Sequence, residues 1–386
     1  MLTSKIKITN FKTKKQKKYY IYKEIKKINF LKRYKFLISL TNNYKNNYKN
    51  LKLKKLKKIK NINLIGMGGS ILGSKAIYSF LRNKIKKNFQ FIDNLNASEK
   101  SKININKNIN IIISKSGNTL ETISNFSLIK KKQKNIFITE RTNNHLYNLA
   151  MQTKSEIVEH KNYIGGRYSV LSEVGMLPAE LMGLNVSKFK QFNNLIKNKR
   201  FILNLITNVN ATLNLLNEGK FNSIILNYDP KSEDLFKWYQ QLIAESLGKK
   251  SKGIMPILSS MPKDNHSILQ LYLDGPKKNF YTFFDVFEKN SNKIKNDYNN
   301  KTFQKLKNKS IYDIVSSQKA ATMKVFSKKQ LPFRNFHILK RDEQSIGELF
   351  CFFILETILL GKALKVNPFD QPSVELIKIE TKKILL

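Results

Sequence analysis

The sequence contains 386 residues, of which 71 are Lys or Arg and 27 are Asp or Glu, so that the formal net charge is +44. Apolar residues make up 41% of the chain, which excludes an intrinsically disordered protein, and the length suits two domains of ordinary size. The single cysteine, Cys351, excludes a disulfide framework and a CxxC zinc site.

The positive charge admits two interpretations. A field of this size attracts anions, and a nucleic acid or another polyanion would be a suitable partner. The excess is nearly all Lys, however, and it is spread along the whole chain together with many Asn and Ile residues, whose codons are also A/T-rich. Compositional drift therefore explains the charge better than a dedicated polyanion surface, and we expect no specific nucleic-acid partner.

The sequence also bears on the compartment. Its first residues contain no apolar core of a signal peptide. The longest apolar run surrounds Cys351 and is interrupted by Glu356, which argues against a membrane span. With the lone cysteine, these features favour the reducing environment of the cytoplasm.

Residues 1–60 are polar and Lys-rich, and they predict an N-terminal helical segment. Within it, Leu51, Leu53, Leu56 and Ile59 recur at near-helical spacing with lysines between them. This spacing predicts an amphipathic helix with a solvated basic face, and a helix lying on a membrane surface is the less favoured alternative.

A β/α alternation follows the N-terminal segment. Short apolar runs predict buried strands at 62–66, 89–93, 110–114, 135–139, 221–228, 253–259, 279–286 and 333–339. Helical periodicity predicts helices at 71–82, 119–131, 144–152, 232–248 and 343–362, and a further one at the C-terminus. Apolar strands that alternate with amphipathic helices are typical of parallel sheets covered on both faces.

The fold class is therefore α/β, with two domains that each contain a parallel sheet flanked by helices. We expect a first domain at 61–200, a second at 201–365 and a C-terminal helix at 366–386 that contributes to the functional site. Helical sequence near 190–220 joins the two domains.

Two glycine- or hydroxyl-rich turns follow predicted strands. The first is "GMGGSILG" at 66–73, and the second is "SKSGNTLET", with Ser114, Lys115, Ser116 and Thr119. Ligands of parallel α/β sheets bind beyond the carboxyl ends of the strands, where helix N-termini offer free N–H groups to an anion. Two such turns on neighbouring strands predict a phosphate site, although a plain tight turn and a helix cap at Thr119 remain alternatives.

A dinucleotide fingerprint is the rival interpretation of the first turn. The pattern G-x-G-x-x-G is met at Gly66 and Gly68, but Ile71 takes the third position. Asp93 would have to serve as the ribose-binding acid. The match is weak.

A third motif, "GGRYS", places two glycines before Arg167 and suits a guanidinium that projects into a cleft.

Six motifs together resemble the phosphoglucose isomerase family. They are "GMGGSILG", "SKSGNTLET", "GGRYS", "QQLIAESLGK", "DNHSILQLYLDG" and "NPFDQPSVELIK", in the family's order, between residues 62 and 380. The "SKSGNT" motif is shared by many phosphosugar-binding SIS domains, whereas "GGRYS" and the "FDQ" motif are specific. The resemblance implies two SIS-type domains and a cytoplasmic enzyme of glycolysis and gluconeogenesis that interconverts glucose 6-phosphate and fructose 6-phosphate through a cis-enediolate.

The resemblance also assigns roles within the site. The phosphate is expected on Ser114, Lys115, Ser116 and Thr119, with the Gly69–Ser70 turn beside the sugar. Glu245, four residues after Gln241 and so on the same helix face, resembles the catalytic base, and Arg167 the cation that stabilises the enediolate.

Two further groups are implied for ring opening. His266 resembles the histidine that the partner subunit supplies in this family, which implies a homodimer. Lys378, seven residues or about two helical turns after Gln371, resembles the group that contacts the ring oxygen. No metal or cofactor is implied, and we interpret His145 and His160 as ordinary polar residues.

Two departures and two alternatives remain open. Glu173 stands where a small residue is usual and is expected near Arg167, where it would change the charge of the cleft, and Ser373 stands where Gly is usual. A non-catalytic phosphosugar sensor would need the phosphate turns but not Glu245. Turnover of mannose 6-phosphate, which differs at C2, is a further activity that the motifs do not decide.

Overall fold

The computed structural model describes residues 1–11, 34–48, 51–97, 108–129, 133–295 and 301–385, with only the backbone of 301–303. The strands β1 to β10 are, in chain order, Ile6–Thr9, Asn61–Gly66, Asn88–Ile92, Asn108–Ile113, Lys134–Thr139, Glu156–Glu159, Asn222–Asn227, Met255–Ser260, Asn279–Val286 and Phe333–Ile338. The helices α1 to α13 are Leu53–Leu56, Leu72–Phe80, Leu120–Ser127, His145–Gln152, Glu173–Leu181, Phe192–Lys197, Lys199–Asn217, Glu233–Leu247, Leu269–Asp274, Lys301–Leu306, Ile311–Lys328, Glu343–Ala363 and Pro372–Leu385.

The strands form two five-stranded sheets. The first has the order β3-β2-β4-β5-β6 and is parallel throughout. The second has the order β1-β10-β9-β7-β8 and is parallel except for β1, which pairs antiparallel with β10. The predicted α/β class with parallel sheets flanked by helices is confirmed. Every residue of β4 is buried, as expected for a central strand that is covered on both faces.

One helix connects the two sheets. Helix α8 packs against β8 of the second sheet and against α2, which follows β2 of the first. Its buried face includes Trp238, whose ring meets that of Phe350 on α12 edge-on at 4.7 Å. Helix α8 also contacts the turns that follow β2 and precede α5. The helix therefore presents polar residues to the edge of the first sheet at which its parallel strands end.

The N-terminal prediction needs correction. Residues 1–11 are not helical, because β1 forms the edge of the second sheet, with buried Ile6 alternating with exposed Lys7. The predicted amphipathic helix is reduced to the single turn α1, since β2 begins at Asn61. Leu56 is buried as expected. The part of the prediction at 12–33 and 49–50 lies outside the described residues.

Among the described residues, no helix combines the length and the apolar character that crossing a membrane would require. The apolar run around Cys351 forms α12, a 21-residue helix that is buried almost throughout its length. Glu356 on this helix forms a buried ion pair with Arg334 of β10. The run is thus an interior helix of the protein, and its charged residue is satisfied within the fold.

Candidate functional site

The first turn lies directly after β2 and is packed from two sides. Gly68 adopts φ of +51°, and a Cβ there would lie 2.7 Å from Nε2 of Gln241. A Cβ on Gly69 would lie 2.3 Å from the carbonyl carbon of Gly166. The glycines are therefore required for the close approach of this turn to α8 and to the "GGRYS" motif. Ser70 closes the turn, and helix α2 begins at Leu72.

The second turn follows β4, which pairs with β2 so that Gly66 lies opposite Ile113. The hydroxyls of Ser114 and Thr119 are 2.9 Å apart, and the hydroxyl of Ser114 also accepts the backbone N–H of Gly117. Helix α3 begins immediately after Thr119. Both turns therefore lie at the same edge of the first sheet, and α3 directs its free N–H groups towards it.

A neighbouring loop supports the second turn. Gly117 adopts φ of +68°, and a Cβ there would lie 1.7 Å from Oδ1 of Asn144. Asn144 caps α4 by accepting the N–H of Tyr147, and Nδ2 of Asn144 donates to the carbonyl of Glu140. The Nζ of Lys115 donates to the carbonyl of Asn162 at 2.8 Å. The turn is thus held in shape, with the Lys115 ammonium at its rim.

Arg167 is buried where the "GGRYS" motif meets α8. Its Nη1 donates to Oε2 of Glu245 at 3.0 Å and to Oε1 of Gln371 at 2.7 Å. Its Nη2 donates to the carbonyls of Pro368 and Asp370 at 2.8 and 3.0 Å. The guanidinium therefore connects the first sheet, α8 and the loop before α13, with one edge facing the carboxylate of Glu245.

Glu245 lies between a cation and an amide. Nε2 of Gln241 donates to Oε1 of Glu245 at 2.9 Å, which confirms that the two residues share one face of α8. About 30% of the Glu245 side chain is exposed, so a small molecule can reach it. Oε1 of Gln241 is buried and makes no hydrogen bond within the described part of the chain.

The structure does not bring Lys378 to this cluster. Helix α13 begins at Pro372, so Gln371 precedes the helix and the predicted two-turn alignment with Lys378 does not occur. Lys378 is exposed and pairs with Glu375 at 2.6 Å. Ser373, which directly follows Pro372 at the start of this helix, is also exposed.

The histidines lie apart from the Arg167–Glu245 pair. His266 ends a short 3-10 helix after β8 and is exposed to solvent. His145 is exposed at the start of α4. No group of three His, Cys, Asp or Glu side chains with the spacing of a metal site occurs in the parts of the chain that the structure describes.

Glu173 does not perturb the cleft in the way that the sequence suggested. Its carboxylate is buried and accepts the hydroxyl of Tyr44 at 2.6 Å and the N–H of Asn47 at 3.1 Å. These neutral donors, and not Arg167, hold the carboxylate, and Lys190 is a cation close enough to interact with it. Glu173 therefore anchors the 34–48 segment to the first residue of α5.

Sequence reasoning missed two side chains that support Arg167, those of Ser246 and Tyr168, as well as the carbonyls of Pro368 and Asp370. The hydroxyl of Ser246 accepts Nε of Arg167 at 2.9 Å, and the hydroxyl of Tyr168 lies 2.8 Å from that of Ser246. Each of the two follows directly after a predicted site residue, and this adjacency is the sequence feature that could have pointed to them. Neither side chain has chemistry of its own that would have attracted notice.

His160 should make the fold sensitive to acid. It is buried, and desolvation lowers its pKa to about 4. Below pH 6.5 this histidine binds a proton in the unfolded chain but stays neutral in the folded chain. The free energy of unfolding therefore falls as the pH drops. We expect a loss of about 3 kcal/mol between pH 7 and pH 4 from this residue.

Urea unfolding of wild type and His160→Gln at several pH values measures this loss. The wild type should lose more stability than the variant between pH 6.5 and 4, because only the wild type has a histidine at position 160 whose pKa is lower in the folded state than in the unfolded state. His145→Gln, at an exposed histidine, is the matched control and should follow the wild type. Equal pH dependence of wild type and His160→Gln would contradict the assignment.

The fold and the site together define a class of protein. Parallel sheets whose strand ends carry glycine and hydroxyl turns are typical of small-molecule-binding α/β proteins. Here the two turns suit an anion, and an adjacent carboxylate is held by a cation and an amide.

Comparisons with known proteins give the family. Residues 40–259 match the family model of phosphoglucose isomerase. The chain is 34% identical over 339 residues to the glucose-6-phosphate isomerase of Methanocaldococcus jannaschii, covering 83% of this chain and 82% of that protein. The chain belongs to the phosphoglucose isomerase family.

Two solved structures share the fold. A hypothetical protein from Thermus thermophilus is 20% identical, with a TM-score of 0.82, and the match covers 95% of this chain and 94% of that chain. A glucose-6-phosphate isomerase from Chlamydia trachomatis is 18% identical, with a TM-score of 0.72 over 86% of this chain and 71% of that one. At this level of identity the likeness concerns the fold alone.

Proposed function

We propose that this chain is a cytoplasmic aldose–ketose isomerase of glycolysis and gluconeogenesis that interconverts glucose 6-phosphate and fructose 6-phosphate. The observation that carries the proposal is the placement of the Glu245 carboxylate between the guanidinium of Arg167 and the amide of Gln241. The relative from Methanocaldococcus jannaschii, which bears the name of this activity, matches over most of both chains.

The phosphate group is bound at the second turn. Ser114, Ser116 and Thr119 supply hydroxyls at the start of α3, and the nearby Lys115 supplies an ammonium. A dianion is favoured there by the helix dipole and by the free N–H groups. The Gly69–Ser70 turn then lies beside the sugar, since β2 and β4 are adjacent strands.

The chemistry is a proton transfer between C1 and C2. Glu245 removes the proton from one carbon of the open-chain sugar and returns it to the other, and a cis-enediolate forms between the two steps. Arg167 stabilises the negative charge that develops on the enediolate oxygen. Gln241 lines the substrate site and orients the Glu245 carboxylate through its Nε2 donor.

Ring opening requires groups that lie outside the cluster in the single chain. His266 is exposed on the surface of the second sheet, and Lys378 is exposed on α13. Helix α13 also exposes apolar side chains, among them Leu376, Ile377 and Ile384. These exposures support a homodimer in which the site is completed by His266 of the partner subunit, with α13 closing so that Lys378 approaches Gln371.

A mixed dimer tests this sharing of the site. A chain with Glu245→Gln retains His266, and a chain with His266→Ala retains Glu245. If each site uses the histidine of the partner, a mixed dimer contains one intact site, and random pairing restores about a quarter of the wild-type activity. Activity no higher than that of the two separate variants would contradict a shared site.

A non-catalytic phosphosugar sensor is the second candidate, and the phosphate turns favour it as much as they favour an enzyme. Incubation of the purified protein with fructose 6-phosphate, with a coupled dehydrogenase that detects glucose 6-phosphate, separates the two. We expect turnover. No turnover combined with a raised melting temperature would indicate a sensor. A parallel assay with mannose 6-phosphate shows whether the protein also converts this second sugar phosphate.

A further inference from the structure

All five N–H donors of Arg167 are engaged, and three of them are fixed by the interior of the protein. Nε donates to Oγ of Ser246, and Nη2 donates to the carbonyls of Pro368 and Asp370. Only the Nη1 edge faces the cleft and Glu245. The orientation of the reactive edge is therefore set by the partners of the other two nitrogens.

The hydrogen bonds around Ser246 run in one direction. A guanidinium can only donate, so the Ser246 oxygen must accept from Nε of Arg167. The hydroxyl of Tyr168 donates to the carbonyl of Pro368 at 2.9 Å, because a carbonyl can only accept. Ser246 therefore donates its own proton to the Tyr168 oxygen at 2.8 Å, which completes a chain from Arg167 to Pro368.

This chain is isolated from solvent. Ser246 is fully buried and Tyr168 is 1% exposed, so no water replaces either hydroxyl. Burial raises the pKa of Tyr168, which keeps its proton available for the carbonyl of Pro368. Each hydroxyl both accepts and donates, and such chains strengthen cooperatively in a medium of low dielectric constant.

We infer that Ser246 is a positioning residue that fixes the Arg167 guanidinium against the reacting carbons, an inference that rests on the proposed isomerase function. Ser246 directly follows Glu245 on α8, so the turn of the helix that directs the carboxylate into the cleft places the hydroxyl on the buried side. Helix α8 thereby fixes the position of Glu245, the base, relative to Ser246, which holds the Arg167 guanidinium. Ser246 does not contact the substrate and acts only through Arg167.

The first test is Ser246→Ala. Loss of a hydrogen bond to a charged donor should lower kcat for fructose 6-phosphate about tenfold to a hundredfold, with KM changed by less than about twofold. Ser259→Ala is the matched control. Its hydroxyl is also buried and lies 2.8 Å from that of Tyr272, so the variant removes a buried bond between serine and tyrosine hydroxyls, like that of Ser246 to Tyr168, away from Arg167. It should retain wild-type kcat.

A double-mutant cycle with Arg167→Lys separates positioning from a structural role. Lysine has no Nε–H, so Ser246→Ala should cost nothing further in that background, whereas a general structural defect would lower kcat equally in both. Tyr168→Phe, which removes only the next hydroxyl in the chain, should lower kcat less than Ser246→Ala and with the same dependence on Arg167. It replaces Ser246→Ala in the cycle if that variant does not fold.

The outcomes distinguish the two proposals. If the wild type does not turn over fructose 6-phosphate, the isomerase proposal fails first. If the wild type is active and Ser246→Ala keeps its kcat, or loses the same factor in both backgrounds, the positioning role of Ser246 is wrong while the isomerase proposal stands. A loss that is confined to chains containing Arg167 supports the inference.

Discussion

Glu245→Gln is expected to abolish nearly all turnover of fructose 6-phosphate while leaving its binding intact. The substitution keeps the size of the side chain and can still accept a hydrogen bond from Nη1 of Arg167, so the site retains its shape. What it removes is the carboxylate that Arg167 and Gln241 hold between them. Because general base catalysis contributes about 10²–10⁴ in rate, we expect kcat to fall by about 10²–10⁴.

The measurement is steady-state turnover together with the rise in melting temperature at saturating fructose 6-phosphate. Glu233→Gln, in the exposed first turn of the same helix, is the matched control and should behave as wild type. A variant at Glu245 with normal kcat would remove this residue from the mechanism. Loss of both turnover and ligand stabilisation would instead show that the substitution had damaged binding.

Arg167→Lys is expected to lower kcat/KM about 10²–10³-fold, although the positive charge is kept. Lysine provides a point charge on a flexible stem and cannot reproduce the five donors that Arg167 directs to fixed partners. The ammonium would lose the contacts to Ser246 and to the loop carbonyls at Pro368 and Asp370. It would therefore no longer be preorganised against the developing enediolate.

Most of this loss should appear in kcat, since the interaction strengthens in the transition state. Arg200→Lys, at an exposed arginine at the start of α7, is the matched control and should leave both constants unchanged. An Arg167→Lys enzyme within about threefold of wild type would mean that charge alone suffices at this position.

The sequence predicted the central strands and most of the helices between them, because these elements have strong periodicity, but it did not predict α5 or the 18-residue α11 between β9 and β10. It missed β1 and β6, each of four residues at a sheet edge, where a short strand carries little pattern. Their existence depends on pairing with β10 and β5, which lie far away in the sequence or across a loop. Such partners are set by the tertiary fold.

The site was predicted in the same uneven way. Spacing along α8 correctly placed Gln241 beside Glu245, since both belong to one regular helix. The same reasoning failed for Gln371 and Lys378, because the helix begins only at Pro372. It also failed for Glu173, whose partners come from the 34–48 segment. Side-chain direction follows from spacing only within an unbroken element.

The most direct test of the central claim is the fate of the C2 hydrogen of glucose 6-phosphate in D₂O, followed by proton NMR. If Glu245 transfers a proton between C1 and C2, the wild type should replace that hydrogen with deuterium over successive turnovers, and Glu245→Gln should replace none in the same time. Isomerisation by the wild type that keeps the original hydrogen through many turnovers would contradict the account.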